Sequence, residues 1–151
     1  MAYHIHGVIA STTEFNDQRL GLYTLGELGN EAGLKVETSI GDYKKGILHI
    51  LSKLTLLIEQ DEQSHWLSSC KYVTIFELDE PSRLLRGPSK NALNLLKECC
   101  DLSQAHAFGQ FYYALTKNNL PLVPSQIQPF EGFQKAFYAF LEKNNELKKK
   151  R

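Results

Sequence analysis

The chain lacks an excess of charge of either sign: 17 lysines and arginines stand against 17 aspartates and glutamates in 151 residues. Nucleic-acid binders ordinarily carry a basic surplus that displaces counterions from phosphates, so this balance argues against nucleic acid as the partner. Long hydrophobic runs are lacking as well. No stretch approaches the roughly 20 apolar residues of a membrane span. The start, Met1-Ala2-Tyr3-His4-Ile5-His6, has neither the basic nor the apolar region of a secretory signal. These absences predict a cytoplasmic chain with no membrane partner. Cysteine is scarce and odd in number, and the vicinal Cys99-Cys100 cannot readily bridge to itself within a helix, so Cys70, Cys99 and Cys100 are expected as reduced thiols.

Recognisable catalytic signatures are lacking too. Leu25-Gly26-Glu27-Leu28-Gly29 is glycine-rich, but it has neither the phosphate-cradling spacing of a P-loop nor the dinucleotide fingerprint between a strand and a helix. No serine sits in a Gly-x-Ser-x-Gly elbow, and no Cys, His and acid fall into a local signature. Cys99-Cys100 reads as the end of a helix beside Asp101. There the negative end of the helix dipole and the carboxylate should raise a thiol pKa, the wrong direction for a nucleophile. No cofactor is implied, and no catalytic residue is assigned.

What is present describes an ordinary globular chain, 42% hydrophobic and 23% charged. Its length suits one domain able to bury roughly two thirds of its unfolded surface. Tyr3–Ser11 reads as a strand, with Tyr3, Ile5 and Ile9 on one face and His4, His6 and Val8 on the other. Arg19–Leu28 and Leu34–Ile40 complete an expected three-stranded meander. From Asp42, a plausible N-cap, Ile47, Ile50, Leu51, Leu54, Leu57 and Ile58 recur at helical spacing. Lys71–Leu78 follows as a buried strand. Beyond Pro81 and Pro88, a helix carrying Ala92, Leu95, Leu96 and Cys99 is expected, then a second one capped by Ser103. After them come an extended connection over 118–129 and a last amphipathic helix through Phe133, Phe137, Phe140 and Leu141. The predicted class is α+β: a β-β-β-α-β mixed sheet covered by helices, followed by a helical C-terminal part. It forms one domain over 1–151, with a sheet-forming part at 1–80, a helical part at 88–147 and a basic tail at 148–151.

Several clusters could carry function. His4 and His6 share a strand face and could chelate a transition metal, while Glu77 and Asp79 end the buried strand as an acidic pair able to hold a divalent cation. Arg83 and Arg86 form a small basic cluster suited to phosphates or an acidic protein surface. The C-terminal half is rich in aromatics. Tyr113 and Tyr138 are expected to project from its buried stripes and to anchor a protein partner.

The expected element order is also that with which the ribonuclease H-like fold begins. KYVTIFELDEPSRLLRG resembles that family's fourth strand, its terminal aspartate and the short helix after it. The resemblance implies a metal-binding role for Asp79 within a carboxylate cluster around two divalent cations. The chain departs from the pattern at the first strand, which reads HIHGVIAST where an aspartate is expected. It departs again at Lys44-Lys45-Gly46, where a glutamate is expected. Two readings follow. One is a non-catalytic cytosolic module that binds another protein, as an inhibitor or immunity protein does. The other is a ribonuclease H-like nucleic-acid-binding protein or metal-dependent nuclease.

Overall fold

Alternation with period two dominates the middle of the chain, and there the computed structural model, which describes residues 3–82 and 87–144, places three long antiparallel strands. These are β3 (Ala32–Lys44), β4 (Ile47–Gln60) and β5 (Gln63–Leu78). Before them come β1 (Tyr3–Ala10), the two-residue β2 (Glu14–Phe15), α1 (Asp17–Leu20) and α2 (Leu25–Glu31). After them come α3 (Lys90–Lys117), the short β6 (Ser125–Ile127) and α4 (Phe130–Lys143). The sheet runs β1-β5-β4-β3-β6, with β2 beside β1 on the outer edge of β5. The β3–β6 pair is parallel and all the others are antiparallel. A mixed six-stranded sheet with helices is the α+β architecture that the sequence predicts.

The order of elements within that class differs from the expectation. The helix expected from Asp42 through Ile58 is the end of β3, a tight turn and most of β4. Its apolar residues satisfy both periods. Leu48, Ile50, Leu54, Leu56 and Ile58, with Ser52 among them, alternate strictly and are all fully buried. Burial against helices therefore decides for period two. Two-residue turns close both hairpins: Lys45 and Gly46 have φ of 49° and 81°, and Asp61 and Glu62 have φ of 52° and 62°. Primed hairpin turns need such left-handed pairs. The second is built without glycine, so its sequence gives little warning.

The strand expected over Arg19–Leu28 is instead two short helices. Thr24 and Glu27 form a capping box at the start of α2, with Glu27 N donating to Thr24 Oγ1 and Thr24 N to Glu27 Oε1. The two helices expected around Ser103 are one, the 28-residue α3 capped by Ser89. No proline lies within it, and its one glycine, Gly109, comes six residues after Ser103 and does not end it. The connection over 118–129 contains β6, which adds a parallel edge to β3 through Leu34, Lys35 and Val36. The final helix stands as expected.

The helices bury their apolar sides against one face of the sheet, with α4 also bordering the other face along β3. Beneath α2 and the C-terminal half of α3, Leu28, Leu34, Val36, Leu54, Leu56 and Phe111 belong to one apolar cluster. Beneath the N-terminal half of α3 and α4, Leu48, Ile50, Phe76, Leu96, Phe133 and Phe137 belong to a second. Burying side chains of this size stabilises by roughly 1.5–3 kcal/mol each. Between the clusters runs a seam of small polar residues. Ser103 Oγ lies 3.0 Å from Ser52 Oγ and accepts from Thr74 Oγ1 at 3.3 Å, all three fully buried. Gln104 Nε2 donates to Thr38 Oγ1 at 2.9 Å beside them.

Candidate functional site

Because side chains alternate across a strand, burying one face of β3, β4 and β5 commits the other face of all three to a single surface. α4 borders that surface along β3, where Gly132 and Ala136 share a depression with Ser39, Leu51, Lys53 and Lys71. The pairing register orders its side chains into lanes across the strands. Gly33, Leu57 and Trp66 form one lane; Lys35, Thr55, Ser69 and Glu14 form the next. Glu37, Lys53 and Lys71 follow, then Ser39, Leu51, Val73 and Ile9. Beyond these lie Asp42, His49 and Ile75, and finally Lys44, Ile47, Glu77 and His4.

The face thus has two apolar regions separated by charge. At one end the half-buried Leu57 meets Trp66, which is 43% exposed; at the other, the half-buried Leu51, Val73, Ile75 and Ile47 meet Ile9, which is 59% exposed. Ile9 reaches this face through a β-bulge at His6, where the β1–β5 register shifts between Ile5 and Gly7. Strict alternation would have left Ile9 with Tyr3 and Ile5, as the sequence suggests. The bulge moves it to the opposite side. Depressions of about 460, 320 and 360 Å³ open on the face beside Leu57, beside Ser69 and beside Leu51.

Charge on the face is unevenly matched. Lys35 Nζ lies 2.9 Å from Glu37 Oε1, an exposed pair. Lys53 and Lys71 stand directly opposite each other on β4 and β5, and neither has an ion-pair partner among the described residues.

The four candidate metal ligands do come together, at the corner where β1 meets the end of β5. They meet as two separate pairs. His6 Nε2 lies 2.5 Å from Glu77 Oε2 and His4 Nε2 lies 3.5 Å from Asp79 Oδ1, all four side chains well exposed. Among the described residues no three His, Cys, Asp or Glu side chains are arranged to hold a metal ion. His49 stands on the open face opposite Asp42, and His106 is on α3 across the sheet. The corner's geometry ties β1 to β5.

Of the two tyrosines, Tyr113 is 65% exposed on α3, with Lys117 Nζ 5.5 Å from its ring centroid. Tyr138 does not project as expected. It is half-buried, meets Phe137 edge-on, and encloses its hydroxyl, whose pKa burial pushes up to about 12. The stripe of α4 is wider than its Phe133, Phe137 and Leu141 seam, so Tyr138 falls on its flank. Arg83, Arg86 and the basic tail at 148–151 lie outside the described residues.

The vicinal thiols have raised pKa values, the direction the sequence suggests, but for a different reason. Cys99 and Cys100 lie in the middle of α3, since the helix runs on to Lys117, so no helix end acts on them. Burial is the largest cause; it pushes Cys99 up to about 12, and Cys100 is raised as well. Cys70 lies within β5, where its Sγ donates to Ser11 O at 3.1 Å. A cleft of about 360 Å³ lies between α3 and the segment joining β6 to α4. Within it Lys97 is paired with Asp101 at 3.2 Å and Gln104 with Thr38, so these polar groups are already engaged with one another.

Comparison of the chain with protein-family models and with curated proteins finds no match to either. Among the described residues no helix is long and apolar enough to cross a membrane.

Proposed function

We propose that the chain is a protein-binding module and that the open face of its sheet is the docking surface. The carrying observation is the lane of Leu51, Val73 and Ile9, with Ile75 and Ile47 beside it, on the sheet face away from both apolar clusters and bordered by α4 along β3. Sheets bury an apolar face against another layer of structure, and a contiguous exposed apolar patch marks an interaction site. The size is suitable. Strands of 13 to 16 residues, rising about 3.3 Å per residue and spaced about 4.8 Å apart, give a face of roughly 45 by 15 Å. That is on the order of 700 Å², close to one partner's share of a standard protein interface.

This reading relocates the anchor. The aromatic C-terminal half is mainly core, with Phe111, Phe133 and Phe137 fully or almost fully buried, and it supports the sheet from behind. An inhibitor or immunity role is the case in which the partner loses its activity on binding. An adaptor role is the case in which it does not.

A photo-crosslinking residue placed at Leu51 or at Tyr113 of the full chain, in the cells that make it, tests the location. Crosslinking from position 51 to one protein of defined mass, lost in the background of Val73→Glu, is the expected result. Capture from position 113 alone would move the site to α3. Capture from neither position would remove the proposal.

A further inference from the structure

The lysine lane at the centre of the face says what kind of segment covers it. Like charges directly opposite on neighbouring strands repel. Lys53 and Lys71 hold that arrangement on the open face. The acid across from Lys53 is Glu37, and its carboxylate is engaged by Lys35 at 2.9 Å. Glu14 lines the same depression as both lysines but makes no ion pair with either. Two positive charges are thus left between two apolar regions. A second copy stacked face to face about a central two-fold axis would bring four lysines together, which opposes self-association by this surface.

We infer that the partner contributes an acidic amphipathic helix, lying along β4 with its carboxylates over Lys53 and Lys71 and its apolar side chains on Leu57 and Trp66 at one end and Leu51, Val73 and Ile9 at the other. This rests on the open face being the docking surface. A helix is favoured because the face offers side chains and no backbone. A lone extended segment laid on it would bury amide groups without partners, whereas a helix satisfies its own. Width agrees: roughly 10 Å separates the axes of β3 and β5, and a helix with its side chains is about 10–12 Å across.

The lanes also set the spacing. Leu57 and Leu51 are six residues apart on β4, which is about 20 Å of strand and corresponds to about 13 residues of helix. The lysine lane lies about 7 Å from Leu51 and about 13 Å from Leu57. The acidic residues therefore fall about four to five residues from the larger apolar group and about nine from the smaller.

Selection from a displayed library of random peptides about 16 residues long, long enough to span both regions, tests this on the full chain. The expected enrichment is Asp or Glu between apolar residues at helical spacing. A representative synthetic peptide should bind with an affinity that falls on the order of tenfold in Lys53→Glu/Lys71→Glu and falls with added salt. Lys53→Ala/Lys71→Ala, which leaves strand pairing untouched, should show a smaller loss in the same direction. Circular dichroism of both variants checks that they fold. Enriched peptides without acids, or affinities unchanged in both variants, overturn the inference. If such a result accompanies crosslinked capture from position 51, the helix inference falls and the protein-binding reading stands. If capture also fails, both fall.

Discussion

Ser103 shows how one residue's meaning depends on what lies across from it. As a sequence feature it resembles a helix cap. In the fold it sits in the middle of α3, fully buried, and its hydroxyl meets Ser52 and Thr74 on the sheet. Removing that hydroxyl leaves buried oxygens on β4 and β5 short of a partner. Ser103→Ala should therefore cost about 1–3 kcal/mol. In urea unfolding this appears as a lower midpoint with an unchanged slope. Ser52→Ala combined with it should cost less than the sum of the two single changes, because the second removes a group the first had orphaned. Additive losses would show that the seam is not a network. The same dependence on context governs Tyr138, which helical spacing places off the stripe and packing against Phe137 encloses.

At the scale of elements, legibility followed the strength of local signals. Lys71–Leu78 and the α4 helix were readable because each has one strong period and clear flanks. β4 was not. In ILHILSKLTLLIEQ apolar residues occupy both strand faces, so helical and strand periods are both satisfied, and the deciding fact is which face meets α3. Gly46, in the turn before β4, was an available warning against a continuous helix from Asp42. The Thr24-x-x-Glu27 box was an available signal for α2. The continuity of α3 is testable by hydrogen exchange. Amides from Leu95 to Leu115 should be protected without a gap, because buried residues continue through Cys100, Ser103 and Ala107. Fast exchange confined to residues 101–105 would instead indicate two helices.

For the whole molecule, the buried hydroxyls and thiols make alkaline pH the weak side. Cys99 is raised from 9.0 to about 12 and Tyr138 from 10.0 to about 12, and Tyr72 is raised as well, each mainly by burial. The unfolded chain therefore loses these protons first, and the stability they confer is intact below about pH 9 and declines as pH rises from about 9 to 12. Urea midpoints measured at pH 7, 9 and 10.5 should be level between the first two and fall at the third. A midpoint level at all three values would show that these groups are not shielded in the folded chain.

The sequence by itself determined the α+β class, the strand at the end of β5 and the last helix, because each follows from local pattern or composition. It also contained all four residues of the β1–β5 corner, although not their division into two pairs. Only the tertiary structure decided that β4 is a strand, that α3 is continuous and that the helices bury their apolar sides against one face of the sheet. It also brought Ile9 beside Val73 through the bulge at His6 and set Lys53 opposite Lys71. The physical reason is that register and facing are properties of paired strands. A single residue's shift in pairing moves every later side chain to the other face, and within β1 only Gly7, beside the bulge, hints at that shift.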